Sequence, residues 1–405
     1  MTLDLHRLNV HLAAAKPSAT YRVIDRVAER RAGGAAIVSL SAGEPDFDTP
    51  AHVREAAIAA IHAGHTRYTQ VAGMRPLREA VASKFNRENG LRVTWRDTIV
   101  CNGGKQVIFN ALAATLNTGD EVIIPAPYWV SYPEMVQLYG AKSVAVACGA
   151  EVGFKLTATA LAEAITPRTR WLILNSPSNP TGAVYSREEL AALGEVLLAH
   201  PHVLVMSDDI YEHLIFDGAS FHTIAQVEPR LAQRTLTMNG VSKAYAMTGW
   251  RIGFATGPGW LLDAMEKLQG QQTSGACSIS QHAALAALAG PQQFVANARE
   301  VFERRRNAML QMLAQAPGLE CSVPGGAFYG FASCQRLMGR TTAGGTLLST
   351  DEDVALALLD EANVAVVQGS AFGLGPYIRI AYALEDDALG KACVAIQRFC
   401  ASTTP

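Results

Sequence analysis

Lys243 and Arg251 stand eight positions apart in NGVSKAYAMTGWRIG (239–253), among small residues and glycines at 240, 249 and 253. A surface lysine needs no such setting, and the glycines suggest backbone bent closely around a bound group. A lysine amine attacks carbonyl carbon and, once free, takes up a proton. Other stretches carry groups suited to the same chemistry: Asp208 in SDDIY with Tyr211 three residues on, Asn179 in SNPTG, Trp129 in PYWVSY, and Gly103, Gly104 and Lys105 in NGGKQ. Each has an ordinary alternative. NGGKQ reads equally as a helix start, Trp129 as a core aromatic, Asp208 and Asp209 as solvated strand-end carboxylates, and SNPTG as a tight loop. NGGKQ is not a nucleotide P-loop, because Ile99 stands where the first glycine belongs and Gln106 replaces Ser/Thr.

The elements that must position these groups give the stronger argument. TIVC (98–101), EVIIPAP (121–127), WLILNSP (171–177), VLVMSDD (203–209) and RTLTMNG (234–240) read as strands. Helical patterns lie between them, at 104–116, 156–165 and 187–200. Apolar strands alternating with helices predict an α/β fold with a mostly parallel sheet covered on both faces. Ligands of such sheets sit beyond the carboxyl ends of the strands, and all five strands run directly into the groups named above. After about residue 290 the texture changes. A long polar helix pattern (293–316), GGAFYGF, a helix at 351–362, VAVVQGSAF and YIRIAYA predict a smaller α+β unit.

One cofactor unites these groups. If Lys243 forms an imine with the aldehyde of pyridoxal 5'-phosphate, the ring nitrogen needs an acid, which Asp208 supplies, and the ring can then act as an electron sink. Tyr211 and Asn179 are placed to reach the ring hydroxyl. Arg251, Ser242 and the amides of the Gly103–Gly104 turn suit a dianionic phosphate, and Trp129 offers an aromatic face. Arg379 alternates with apolar residues in YIRIAYA, as an inward-facing arginine would. Its planar guanidinium can bind a carboxylate through two parallel hydrogen bonds, which a lysine cannot reproduce.

Nearly the whole chain resembles the class I (fold-type I) pyridoxal-phosphate aminotransferases, specifically the bacterial aspartate and aspartate/prephenate subgroup. The motifs are KPSAT (16–20), SAGEPDFDTP (41–50), YTQVAG (68–73), NGGKQ, PAPYWVSYPEM, NSPSNPTGAVYS, SDDIYEHL, NGVSKAYAMTGWRIG, GGAFY (325–329) and GSAFG…IRIAYA. The resemblance implies a seven-stranded, mostly parallel sheet in a large cofactor domain (47–290). A small C-terminal domain (291–405) is joined by an N-terminal segment (1–46). It maps the cofactor lysine onto Lys243, the ring-nitrogen aspartate onto Asp208, the ring-hydroxyl donors onto Tyr211 and Asn179, and the stacking aromatic onto Trp129. The α-carboxylate clamp falls on Arg379, helped by Asn179, Trp129 and the backbone at Gly43. Tyr68 matches a residue that reaches the cofactor phosphate of a neighbouring subunit, which implies a homodimer with shared active sites. Cis peptides are implied at Asn179–Pro180 and Ala126–Pro127.

The implied reaction is reversible transamination of L-aspartate with 2-oxoglutarate, giving oxaloacetate and L-glutamate. No arginine occurs between Arg251 and Arg299 to take the distal carboxylate, so the chain resembles the subgroup that uses the lysine after Gly-Gly, Lys105. Lys16 and Thr20 match positions linked to prephenate as a further substrate. The competing readings are an aminotransferase of aromatic or neutral amino acids, a C–S lyase, or a regulator with an aminotransferase-like effector domain. Against the last, the match begins near residue 16 and leaves no room for an N-terminal DNA-binding domain.

Composition is consistent with these expectations. The 405 residues are 49% hydrophobic and 17% charged, with a formal net charge of −2. That is enough for a large core and gives nothing to draw the chain to nucleic acid or an anionic membrane. Seven scattered cysteines without a C-x-x-C pair read as reduced thiols in a cytosolic protein. The ten histidines show no metal spacing. No secretory signal is expected from the N-terminal sequence, and no run approaches the ~18 apolar residues of a spanning helix.

Overall fold

The structure, a computed structural model, describes residues 8–15 and 19–405. Among the described residues the thirteen strands are β1 (Val38–Ser39), β2 (Thr98–Asn102), β3 (Glu121–Ala126), β4 (Lys142–Ala147), β5 (Thr169–Asn175), β6 (Leu204–Asp208), β7 (Thr235–Gly240), β8 (Ile252–Thr256), β9 (Glu320–Cys321), β10 (Tyr329–Ser333), β11 (Val364–Ala365), β12 (Val367–Gln368) and β13 (Tyr377–Ala381). Seven of them form the main sheet, in the order β2-β8-β7-β6-β5-β3-β4. All neighbours are parallel except β8, which runs antiparallel to both β2 and β7.

Strand side chains alternate between two helical layers, as period-two geometry requires. Ile99, Cys101, Val122, Ile124, Trp171, Ile173, Met206 and Met238 pack with Val107, Ile108 and Leu112 of the helix Gly104–Thr115 and with Leu261 and Met265 of the helix Gly259–Gln272. Their neighbours Ile123, Leu172, Leu174 and Val205 face the helix Arg187–Leu198 through Leu190, Leu193 and Leu197. Val100 and Phe254 face Leu77, Val81 and Phe85 of the helix Arg75–Asn89. This burial on both faces makes the strands read as apolar runs. The five strands expected from sequence are present, shifted by one or two residues at their ends.

Two strands were not among them. β4 is an edge strand whose residues are half-buried or exposed, so KSVAVA lacks a continuous apolar run. β8 carries Gly253 as its second residue, where a Cβ would come within 2.3 Å of the Gly104 nitrogen. The glycine is needed because the Gly103–Gly104 turn packs directly on the strand. Gly240 is similarly confined, with the Ile252 carbonyl 2.9 Å from a Cβ at that position, whereas Gly249 faces open space. The close approach expected around 240, 249 and 253 therefore holds for the first and third.

The C-terminal part carries a second sheet, β12-β13-β10-β9, whose pairings are antiparallel. Its helices, Gln293–Leu313, Asp351–Ala362 and Asp386–Ser402, share one core with it that includes Phe302, Phe328, Leu358 and Ile396. The second of these helices starts on a reciprocal cap between Thr350 and Asp353. β1 pairs in parallel with β11, Val38 opposite Val364. The helix Ala19–Ala32 is tied to the same part by ion pairs from Arg26 and Arg30 to Asp360. Among the described residues no helix is long and apolar enough to cross a membrane.

Candidate active site

The sheet topology brings six segments to one edge. β2, β3, β5, β6 and β7 end there, and the reversed strand β8 begins there, so Arg251 arrives beside the residues that follow the other strands. A cavity of about 360 Å³ opens at this edge. Its walls include Gly43, Gly104, Lys105, Trp129, Asn179, Asp208, Tyr211, Ser242, Lys243, Arg251 and Arg379. Eleven residues expected from sequence thus share one space.

Lys243 donates through Nζ to the Gly43 carbonyl. Its ammonium is disfavoured chiefly by burial, which brings its pKa down to about 8; Glu44 opposes this shift, and Arg251 and Arg379 reinforce it. Asp208 accepts from the Tyr132 hydroxyl at 2.5 Å and from the Ile210 amide at 3.3 Å. Burial raises its carboxyl to about 6 against those two hydrogen bonds and the nearby Lys243. An acid of this kind is ready to keep its charge as soon as a cation lies beside it.

At the opposite wall, Arg379 is 2% exposed. It donates from Nη1 to Asn179 Oδ1 at 3.0 Å and from Nη2 to the Ser41 carbonyl at 2.6 Å, and its Nε has no partner. Its guanidinium lies over the rings of Tyr329 and Phe372 at 4.7 and 5.0 Å. A buried cation with an unmet donor is arranged for an anion. Asn179 itself is held by its amide, which donates to Asn175 Oδ1 at 2.8 Å, while Asn175 Nδ2 donates to the Asp208 carbonyl at 2.9 Å. The peptides before Pro180 and Pro127 are cis, as are those before Pro177 and Pro376.

Gly103, just outside the cavity wall, caps the helix Gly104–Thr115 with φ 82°. A Cβ there would lie 2.4 Å from Arg251 Nη2, so the arginine rests against bare backbone at a helix N-terminus. Arg251 takes a left-handed conformation, φ 57°. Cation, helix amides and the Ser242 side chain together form an anion cup. Lys105, one position into the same helix, donates to Ser131 Oγ at 3.2 Å and lies 4.9 Å above the Trp129 ring. Burial and the charge of Arg251 depress its pKa.

Besides Gly103, the described site residue Tyr68 is not in the cavity wall. Tyr68 is 92% exposed in the single chain. Lys16 lies outside the described residues. Thr20 falls in the first turn of the helix Ala19–Ala32, with its side chain undescribed; Ile24 of that helix does line the cavity. Sequence reasoning missed others. Tyr132, Ser131, Glu44, Asn175 and Tyr329 all line the cavity. Tyr329 exchanges a 2.8 Å hydrogen bond with Tyr211, and its hydroxyl would sit 2.9 Å from a Cβ at Gly43. Each stands in a quoted motif, which was the available signal.

A model of the aminotransferase class I and II family matches residues 35–396. The aspartate/prephenate aminotransferase of Cereibacter sphaeroides is 57% identical over 390 residues, 96% of this chain and 98% of that protein. The crystal structure of the aspartate aminotransferase from Rhizobium meliloti matches with a TM-score of 0.96 and 49% identity, over 98% of this chain and 100% of that one. The aspartate aminotransferase from Thermus thermophilus with maleate matches at 0.90 and 44%, over 97% and 99%. With family model, relatives and fold in agreement across almost the full length, the chain belongs to the class I and II aminotransferases.

Proposed function

We propose that the chain is a pyridoxal-phosphate aminotransferase that exchanges the amino group of L-aspartate with 2-oxoglutarate, with prephenate as a further acceptor. The observation that carries this is one cavity holding a lysine amine of lowered pKa, a buried acid, an anion cup and a buried arginine with an unmet donor. The donor set fits the cofactor: the cup of Arg251, Ser242 and the helix amides that begin at Gly104 suits its phosphate, while the Gly103 amide donates to the Cys101 carbonyl at 2.8 Å and serves to shape the turn. Asp208 suits its ring nitrogen, Tyr211 and Asn179 its hydroxyl, and Trp129 its face. Bound there, the group supplies an aldehyde for amine exchange and a ring that accepts electron density from the substrate's Cα.

The chain's own residues do the rest. Arg379, with Asn179 fixed against it, binds and orients the α-carboxylate. Lys243 Nζ would take the proton from the substrate's Cα and deliver it to the carbon by which the bound group holds the amine, a role suited to an amine titrating near the working pH. Asp208 holds a proton on the ring nitrogen, with Tyr132 fixing its carboxylate. Lys105 supports acidic substrates, and the relatives named aspartate or aspartate/prephenate aminotransferases support that choice. The exposed Tyr68 supports a homodimer in which it completes the neighbouring site. Lys16 and Thr20 keep their proposed part in prephenate recognition. We read 47–290 and 291–405 as the two domains and the cytosol as the compartment, on the pattern of seven free cysteines.

The test is a panel of amino donors against 2-oxoglutarate and oxaloacetate, with prephenate as an extra acceptor, together with borohydride reduction of the protein with its cofactor. Aspartate should lead the panel, and the label should sit on Lys243. A labelled peptide centred elsewhere would overturn the lysine assignment, and preference for aromatic or neutral donors would overturn the substrate.

A further inference from the structure

A buried ion-pair network lies behind the turn that follows β6. Lys84, on the helix Arg75–Asn89, is 1% exposed. Its Nζ pairs with Glu212, donates to Asn89 Oδ1 at 2.7 Å, and lies 3.6 Å from Glu88. Asn89 Nδ2 donates in turn to Glu212 Oε2 at 2.6 Å, closing a three-membered ring of contacts. His213 Nε2 adds contacts to Glu88 at 3.0 Å and Glu212 at 3.6 Å. Glu88, Glu212 and His213 are spaced as metal ligands could be. The Lys84 ammonium already pairs with both carboxylates, so the cluster is an ion-pair network.

The turn carries its side chains to two sides. Asp208 and Tyr211 line the cavity, while Glu212 is drawn toward Lys84 and Asp209 toward Ser207 and Thr223. Glu212 follows Tyr211 directly, and its amide donates to the Asp209 carbonyl at 2.9 Å. Burying an ammonium and a carboxylate costs desolvation that their attraction offsets only with good geometry and further hydrogen bonds. An apolar pair would fill the space without that cost, so the pair's distinctive contribution is directional.

We propose that Lys84 and Glu212, locked by Asn89, are positioning residues that fix the 208–213 turn and thereby aim Asp208 and Tyr211 at the bound ring. The inference rests on the cofactor reading above. The network touches no substrate; it sets where the two ring contacts point.

The experiment compares the parent protein with Glu212→Gln and with the apolar double variant Lys84→Met/Glu212→Leu. Melting temperature, the dissociation constant of pyridoxal phosphate from the apo-protein, and the induced circular dichroism of the bound cofactor are measured. Glu212→Gln should lower the melting temperature, weaken cofactor binding at least tenfold and change the induced signal. The double variant should recover the melting temperature and leave binding and signal impaired. Equal binding and an unchanged signal in Glu212→Gln would overturn the proposal, as would full recovery of all three in the double variant. If Glu212→Gln does not fold, Asn89→Ala, which keeps the ion pair and removes the amide that sets its angle, is read on binding and signal in the same way. A parent that binds no pyridoxal phosphate would sink the cofactor reading instead, so the two failures are distinguishable.

Discussion

Asp208 and Asp209 are adjacent in the chain and serve opposite sides of β6. Asp208 lines the cavity and accepts from Tyr132, whereas Asp209 accepts from Ser207 and lies near Thr223. Both are at most 5% exposed, and burial raises both, to about 6 and about 8.

Their separation gives the first prediction. Asp208→Ala removes the charge that faces the ring and should lower kcat by at least about 100-fold, the scale of losing one preorganised electrostatic contact. Asp209→Asn keeps the shape on the far side and should leave kcat within about tenfold of the parent. Steady-state kinetics at saturating cofactor decides, and a reversed order would show that the wrong carboxylate was chosen.

Lys243 gives a pH prediction in the apo-protein. Its folded pKa, about 8, lies below the 10.5 of a free lysine. The unfolded chain therefore binds this proton more tightly, and stability rises as pH climbs from about 8 through 10.5. Lys243→Met should melt above the parent at pH 7, with the difference shrinking over that interval. Labelling of Lys243 by an amine reagent should show a midpoint near pH 8; a midpoint near 10.5 would refute the shift.

Gly253 and Gly249 separate a required glycine from a permissive one. Gly253→Ala would place a methyl group 2.3 Å from the Gly104 nitrogen, forcing the anion cup apart. Weaker binding of pyridoxal phosphate and of free phosphate is expected, with a destabilisation of about 1–3 kcal/mol typical of overpacking. Gly249→Ala meets nothing within 4 Å and should stay within about 0.5 kcal/mol. Chemical denaturation and cofactor titration read both.

Lys105 decides the substrate class. A hydrogen bond to a charged group contributes roughly 1.5–3 kcal/mol. Lys105→Ala should therefore lower kcat/KM for aspartate by roughly ten- to a few-hundred-fold and leave alanine little affected. Equal losses for both donors, restored by added cofactor, would make Lys105 a phosphate-side residue only.

The strand ends were legible because buried parallel strands write continuous apolar runs, and the groups that follow them are polar or aromatic. Lys243, Asp208, Asn179 and Trp129 could each be placed at one edge on that ground. Arg251 could not be placed by strand order, since the reversal of β8 leaves no mark in IGFAT. Nor could the partners of the site. Tyr329 meets Tyr211 from a separate sheet, and Tyr132 meets Asp208 across two strands; one sequence does not show which distant side chains meet. The Lys84–Glu212 pair leaves no mark in the sequence either, since its members lie on distant segments that meet only in the fold.

The pairing of β1 with β11 sets an order of assembly. Ser41 and Gly43, which contact Arg379 and Lys243, follow a strand whose partner is Val364–Ala365. Leu40 donates its amide to Ala365 and accepts from Ala381. During synthesis the first of these residues emerge early and must wait for almost the last segment of the chain before they are fixed. The carboxylate-binding wall is therefore a seam between an early and a late segment of the chain, closed only when β1 finds β11 and Arg379 reaches Ser41.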